Sequence, residues 1–168
     1  QAISYIIDVY RQDVKAQRNL IDLSLFISLF PQLVAGPIVR YNTIAEQIKR
    51  RIIKNEDLMI GTRRFIQGLA KKVLIANPMG AVADQCFSMS GDSLTTGAAW
   101  IGIIAYSLQI YFDFSGYSDM AIGIARIFGF KFLENFNYPY VAQTVTEFWR
   151  RWHISLSHWF RDYVYFPL

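Results

Sequence analysis

The sequence predicts an all-α, multi-pass membrane protein with broken or re-entrant helices and amphipathic surface helices. Only 18% of its 168 residues are charged, 53% are hydrophobic, and the aromatic residues include 13 Phe, 10 Tyr and 4 Trp. Soluble domains carry about 25% charged residues, and aromatic side chains concentrate at bilayer interfaces. The hydrophobic content excludes a disordered chain, and a single cysteine excludes a disulfide scaffold.

Both ends of the chain lie in apolar sequence. Gln1 opens directly into the apolar stretch 2–10, and the chain closes at Leu168 without a polar tail. The start lacks the charged segment, apolar core and small-residue cleavage site of a secretory signal. We therefore expect residues 1–168 to be an interior part of a single, longer membrane domain.

The first uncharged stretch, 23–39, is interrupted by Pro31, Gly36 and Pro37. Proline removes a backbone donor and clashes with the preceding helical turn. Broken helices at membrane depth are tolerated where they face protein or a water-filled cavity. Residues 30–37 are therefore predicted to form either a re-entrant, cavity-lining element or a helix followed by a kink and a surface turn.

Residues 40–72 form a basic segment in which Ile44, Ile48 and Ile52 recur at intervals of four. This pattern predicts amphipathic helices that lie on the membrane surface, and the excess of Lys and Arg indicates the cytoplasmic side. Nucleic-acid binding could also explain the net charge of +4. It is disfavoured because apolar stretches flank the segment and aromatic residues do not alternate with the basic ones.

Residues 93–112 are the clearest transmembrane span, because 20 consecutive residues lack a charge and a bilayer crossing needs about 20. Two aspartates follow, after which a separate helix is predicted over 120–130. Small residues recur in that helix at intervals of four: Ala121, Ala125 and Gly129. Such a stripe permits close packing between helices. We expect about three to five membrane elements in all.

Residues 144–166 are predicted to form one amphipathic helix. Thr144 and Glu147 make up a capping box, which marks a helix start. At 3.6 residues per turn, one face is apolar and carries Trp149, Trp152, Leu156, Trp159 and Phe160. A second row is polar and carries Glu147, Arg150, His153, Ser157 and Arg161. We expect the polar face to meet protein or an aqueous cavity.

The two histidines of this helix are the candidates for chemistry. A neutral His153 could accept the proton of a hydroxyl during acyl transfer, or it could be hydrogen-bonded in a structural polar seam. His158 is interpreted as the surface partner of Asp162, four residues on. No metal site is predicted, because the histidines are five residues apart and no carboxylate stands at ligand spacing. Cys86 is expected to be a small buried hydrophobe.

Four segments resemble signatures of the membrane-bound O-acyltransferase family, and specifically of its bacterial branch that acts in alginate O-acetylation. They include the sequences AGPIVR, FDFSGYSDM, ENFNYPY and EFWRRWHISLS, and they occupy 31–40, 112–123, 134–140 and 147–157. The resemblance covers almost the whole chain, and the segments follow one another in the family's order. It implies that the helices form part of a core that surrounds a tunnel between the two faces of the bacterial inner membrane.

The resemblance also implies a reaction. An acyl group, commonly acetyl, would pass from an acyl-CoA donor to a hydroxyl of an exported or cell-surface polysaccharide, or to a relay protein. His153 matches the first of two polar active-site positions of the family. The second, a histidine in a Trp-His-Gly context, lies beyond Leu168 in relatives, and His158 does not match it. The 168 residues alone are therefore predicted to be inactive.

Arg150 and Arg151 are predicted either to orient the motif helix or to bind the phosphates of coenzyme A, because arginine suits bidentate phosphate contacts. The expected partners are the lipid bilayer, acyl-CoA and the acceptor, with no nucleic acid.

Two other classes of function compete with the enzyme. A transporter or channel also uses broken helices, but the sequence lacks paired interrupted helices in related halves. A membrane scaffold would use the basic helices to recruit partners.

Overall fold

A computed structural model of the chain describes residues 1–33, 36–91 and 93–167. Over these ranges the regular elements are all helical, which confirms the all-α class. The described ranges contain eight α-helices: α1 (Ala2–Tyr10), α2 (Leu20–Ser28), α3 (Tyr41–Lys49), α4 (Asn55–Ala70), α5 (Asn77–Phe87), α6 (Thr96–Ile127), α7 (Val145–Arg151) and α8 (Ile154–Phe160). Short 3₁₀ turns occupy Phe30–Gln32 and Pro139–Val141, and π-helical turns occupy Lys71–Ala76 and Arg161–Tyr165.

No helix in the described ranges is both long enough and apolar enough to cross a membrane. The predicted span 93–112 falls mostly within α6, and its role as a membrane crossing stays a prediction. The predicted re-entrant element at 30–37 lies partly outside the described residues, because Val34 and Ala35 are not among them. The choice between a re-entrant element and a surface turn therefore also stays open.

Helix α6 is continuous where the sequence predicts a break between two helices. It begins at Thr96 and is capped by Thr95, whose hydroxyl accepts a hydrogen bond from the amide of Ala98 at 3.2 Å. It then runs through Asp113 and Asp119 for 32 residues. It ends before Gly129, which adopts a φ of +80° that suits glycine. The prediction of a separate helix over 120–130 is therefore wrong.

Helices α4 and α6 pack antiparallel through two pairs of glycines. A Cβ atom placed on Gly61 would lie 2.7 Å from the carbonyl oxygen of Gly123. A Cβ atom on Gly68 would lie 2.5 Å from the carbonyl oxygen of Gly116. The predicted close packing is present: these glycines make the contact between α4 and α6, and Ala121 and Ala125 of the predicted stripe are also buried. Of that stripe, Gly129 lies beyond the end of the helix.

Ion pairs reinforce the contact between these two helices. They join α4 and the π-helical turn after it to α6: Arg64–Asp119, Lys71–Asp119, Lys72–Asp113 and Arg126–Asp57. The carboxylates that suggested a break in α6 are thus neutralised by cations of the neighbouring helix. Part of the basic segment 40–72 therefore serves an intramolecular contact, while its placement at a membrane surface stays a prediction.

A compact aromatic and aliphatic core lies between α2, α3 and the end of α6. Its members include Phe26, Tyr41, Ile44 and Phe130, each 5% exposed or less. The ring centroids of Phe26 and Tyr41 are 5.2 Å apart in an edge-to-face contact. Elsewhere Cys86 is buried in α5, where it packs against Gly102 of α6, as expected for a small hydrophobe.

The glycine contact yields a stability prediction. Gly68→Val should lower the free energy of unfolding by about 1–3 kcal/mol, because overpacking a tight contact costs that much. Gly97→Val is the matched control, because the nearest atom to a Cβ at Gly97 is 4.0 Å away. Thermal unfolding of the two purified variants measures the difference. Equal unfolding midpoints for both variants would contradict the glycine contact.

Candidate active site

The predicted motif helix begins where expected but breaks at His153. The hydroxyl of Thr144 accepts a hydrogen bond from the amide of Glu147 at 3.1 Å, which confirms the predicted N-terminal cap. Helix α7 then ends at Arg151, and α8 begins at Ile154. Between them His153 adopts the left-handed conformation, with φ 42° and ψ 56°. The single helix over 144–166, and the two continuous faces built on it, are therefore wrong predictions.

A distant loop segment, 135–137, causes this break. The amide of Asn137 donates to the carbonyl of Arg151 at 2.9 Å, and the amide of Ile154 donates to the carbonyl of Asn135 at 2.9 Å. These bonds take the place of helical ones on either side of His153. Because they join residues 14 and 19 positions apart in the sequence, helical periodicity could not have predicted them.

Asn135 is a site residue that the sequence analysis missed. Its side chain is fully buried, and Oδ1 accepts hydrogen bonds from the amide and the hydroxyl of Ser155 at 3.1 and 2.9 Å. The hydroxyl of Ser155 in turn accepts from the amide of Ile38 at 3.0 Å. The only sequence signal for Asn135 was its place within the ENFNYPY segment. These bonds join three of the four family-like segments.

The fourth segment reaches the site through aromatic rings. Phe114 of α6 lies edge-to-face against the imidazole of His153, with ring centroids 4.7 Å apart. Phe136 stacks near-parallel to the imidazole at 6.4 Å, next to Phe114, which it contacts at 5.0 Å. Trp152 closes the group, with its ring 5.1 Å from that of Phe136. The imidazole is thus held in a mainly aromatic environment.

This environment determines the charge of His153. The imidazole is half-buried, and its Nε2 atom is buried without a hydrogen-bond partner among the described residues. Burial lowers the pKa of His153 below the ordinary value of 6.5, because desolvation disfavours the imidazolium form. The ring is therefore neutral at pH 7, with a nitrogen available to accept a proton.

His158 and Asp162 do not form the predicted pair. His158 is exposed, while Asp162 forms ion pairs with Arg161 and Arg40. The hydrogen bond from Arg161, with help from Arg40, lowers the pKa of Asp162 to about 2. The predicted pair of His158 and Asp162 is absent because Arg40, which lies 122 residues away in the sequence, binds the carboxylate of Asp162 instead.

The two candidate arginines occupy different environments. The guanidinium of Arg151 donates to Glu147 at 2.9 Å and to the carbonyl of Asn137 at 3.3 Å. These bonds join α7 to the inserted loop, and the predicted role of Arg151 in orienting the motif helix stays a prediction. Arg150 is exposed and makes no ion pair within the described part of the chain. Binding of coenzyme A by either residue stays a prediction.

Two cavities adjoin the break. One of about 590 Å³ is lined by residues that include Arg40, Glu134, Ile154 and Ser155. The other, about 910 Å³, is lined by residues that include Arg64, Glu134 and Ile154. Because Glu134 and Ile154 line both, the cavities flank the backbone contact between the inserted loop and the start of α8. Across the described ranges, no cluster of three or more His, Cys, Asp or Glu side chains could hold a metal ion.

Comparison with known proteins identifies the family. The chain is 54% identical over 168 residues to a probable alginate O-acetylase of Azotobacter vinelandii, covering 100% of this chain and 33% of that protein. It is 38% identical over 195 residues to a peptidoglycan O-acetyltransferase of Helicobacter pylori, covering 100% of this chain and 37% of that protein. It is 35% identical over 158 residues to a teichoic acid D-alanyltransferase of Bacillus subtilis, covering 90% of this chain and 39% of that protein.

The chain thus spans about a third of the length of the curated relatives it matches. Residues 11–168 match the model of the membrane-bound O-acyltransferase family. The match includes all four segments that meet around His153 and Asn135. The chain therefore belongs to the membrane-bound O-acyltransferase family.

Proposed function

We propose that this chain supplies His153 to the active site of an O-acyltransferase that modifies a hydroxyl of an exported or cell-surface polysaccharide, or of a relay protein. The observation that carries the proposal is the environment of His153. Its imidazole is neutral and partly desolvated, its Nε2 has no partner in the described part of the chain, and it lies where the four family-like segments meet. A histidine in a purely structural polar seam would have its buried nitrogen hydrogen-bonded.

The relatives support the class of acceptor. Their names specify alginate, peptidoglycan and teichoic acid, which are all polymers, and the transferred groups are acetyl and D-alanyl. The higher identity to the alginate O-acetylases favours acetyl as the group and a polysaccharide as the acceptor. We propose acetyl-CoA as the donor.

The chemistry follows from a neutral imidazole. As the acceptor oxygen attacks the acyl carbonyl, Nε2 of His153 takes the proton of the hydroxyl. The new carbon–oxygen bond forms the ester, the carbon–sulfur bond of the thioester breaks, and the proton passes on to the leaving thiolate. The second family histidine would act beside His153. Arg150, which is exposed, is the better placed of the two arginines to meet the phosphates of the donor.

We further propose that the protein is a multi-pass protein of the bacterial inner membrane, with 40–72 at its cytoplasmic face and 93–112 as a span. Large apolar side chains of α6 support this placement. Trp100, Ile101, Ile103 and Ile104 are each more than half exposed, and contiguous apolar surface of this kind marks a contact with lipid or protein.

The role of His153 can be tested in a family-length protein, meaning a chain of the relatives' full length that carries these residues. His153→Ala should lower acetyl transfer by about 10²-fold or more, the usual contribution of a general base. His158→Ala, a matched change on an exposed ring, should leave transfer within about twofold. The measurement is incorporation of labelled acetyl from acetyl-CoA into polymer, normalised to protein abundance. Full activity of His153→Ala would refute the proposal.

A pH profile tests the environment of the same ring. Because burial lowers the pKa of His153, the base form persists below pH 6.5, and the acid limb of kcat/KM should lie below the ordinary histidine value. Phe114→Ala should rehydrate the ring and move this limb towards higher pH. Trp149→Ala serves as the control, since Trp149 is 50% exposed. An acid limb that stays fixed in Phe114→Ala would rule out desolvation by Phe114 as the cause.

A further inference from the structure

We propose that Asn135 is the positioning residue of this site, since its hydrogen bonds to the start of α8 fix the left-handed conformation of His153 and so the direction of Nε2. The inference rests on the proposed function of His153. It assigns to Asn135 no contact with the substrate and no proton transfer.

Asn135 caps α8 from a distance. The first amides of a helix lack partners within the helix, and a side chain at the N-cap position normally accepts from one of them. Here His153 occupies the N-cap position, but its side chain makes no capping bond. Asn135 instead accepts from the amides of Ile154 and Ser155. The imidazole of His153 is therefore not needed to cap α8.

The left-handed conformation of His153 needs this support. A residue other than glycine in that region costs about 1–3 kcal/mol and persists only where its surroundings over-determine it. Both ends of the break are held by the same short segment, because Asn137 bonds to Arg151 before it and Asn135 bonds to Ile154 after it. These backbone bonds set where the break falls, and the two side-chain bonds that Oδ1 of Asn135 accepts from Ser155 hold the first turn of α8 in the orientation that the left-handed His153 requires.

The inserted segment is itself anchored on both sides of Asn135. Glu134 forms an ion pair with Arg64, which also binds Asp119 of α6. Phe136 packs against Phe114, which lies more than one turn before Asp119 in the same helix. Because both neighbours are held independently, truncating the Asn135 side chain should leave the segment in place. The variant should lose only the two hydrogen bonds that Oδ1 accepts from Ser155.

The chemistry of the side chain offers a conservative rescue. Both hydrogen bonds at Oδ1 are accepted from Ser155, so the carboxylate of Asn135→Asp keeps them. Its second oxygen replaces the buried Nδ2, which has no partner among the described residues, and the N-terminus of α8 favours the added negative charge. Asn135→Ala removes both hydrogen bonds. Asn137→Ala is the matched control, because this asparagine is exposed and contributes backbone groups to the break.

The experiment compares how readily His153 and His158 react with diethyl pyrocarbonate in the family-length protein. Mass spectrometry of the peptide 152–161, which a cut after each arginine releases, reports both rings together. The wild type should label His158 well ahead of His153, whose Nε2 is buried. In Asn135→Ala the ratio of His153 to His158 labelling should rise several-fold, and acetyl transfer should fall about tenfold or more.

Asn135→Asp and Asn137→Ala should both keep the wild-type labelling ratio and most of the activity. Ser155→Ala, which removes one of the two bonds at Oδ1, gives a milder variant that should raise the ratio partway. An unchanged ratio in both Asn135→Ala and Ser155→Ala would overturn the proposal, and so would an Asn135→Asp variant as impaired as Asn135→Ala. Full activity of His153→Ala would refute the proposed function alone, because the labelling ratio does not depend on activity.

Discussion

The hydrogen bonds from 135–137 to the facing ends of α7 and α8 are the interaction on which the candidate site depends. They replace helical bonds at the break and satisfy groups that would otherwise be left without partners at two helix ends. An unpaired buried backbone group costs about 1–3 kcal/mol, so the break could not persist without the inserted segment. His153 owes its conformation, and the site owes its shape, to a loop that lies far away in the sequence.

That loop depends in turn on the pair formed by α4 and α6. Arg64 of α4 binds Asp119 of α6 and Glu134 of the loop, so one guanidinium ties the helix pair to the inserted segment. Asp119 is nearly buried, and removing one partner of such a carboxylate would leave its charge poorly compensated. The glycines at the helix crossing bring the two backbones close enough for these side chains to meet. The close helix packing therefore permits the ion pairs of Arg64, and these ion pairs hold the inserted segment in place.

The sequence was informative where the determining contacts are local. The cap at Thr144 could be predicted because it joins residues three apart, and the all-α class follows from composition and from apolar residues at helical spacing. The break at His153, the continuity of α6 and the pairing of Asp162 could not be predicted. Each depends on a partner beyond the reach of helical periodicity: 19 residues separate Asn135 from Ile154 at the break, 41 separate Lys72 from Asp113, and 122 separate Arg40 from Asp162. The family-like segments predicted which parts of the sequence form the site, but not the contacts that join them.

Two costs coincide at His153, and their coincidence favours function over structure as the reason for this histidine. The left-handed backbone is unfavourable for a residue with a side chain, and the buried Nε2 gains no hydrogen bond from the described residues in return. A glycine or asparagine would adopt this conformation at lower cost. Neither would supply an imidazole with a lowered pKa beside Phe114. A residue that costs stability in two ways, at the point where the four segments converge, is explained most simply by the proton that it can accept.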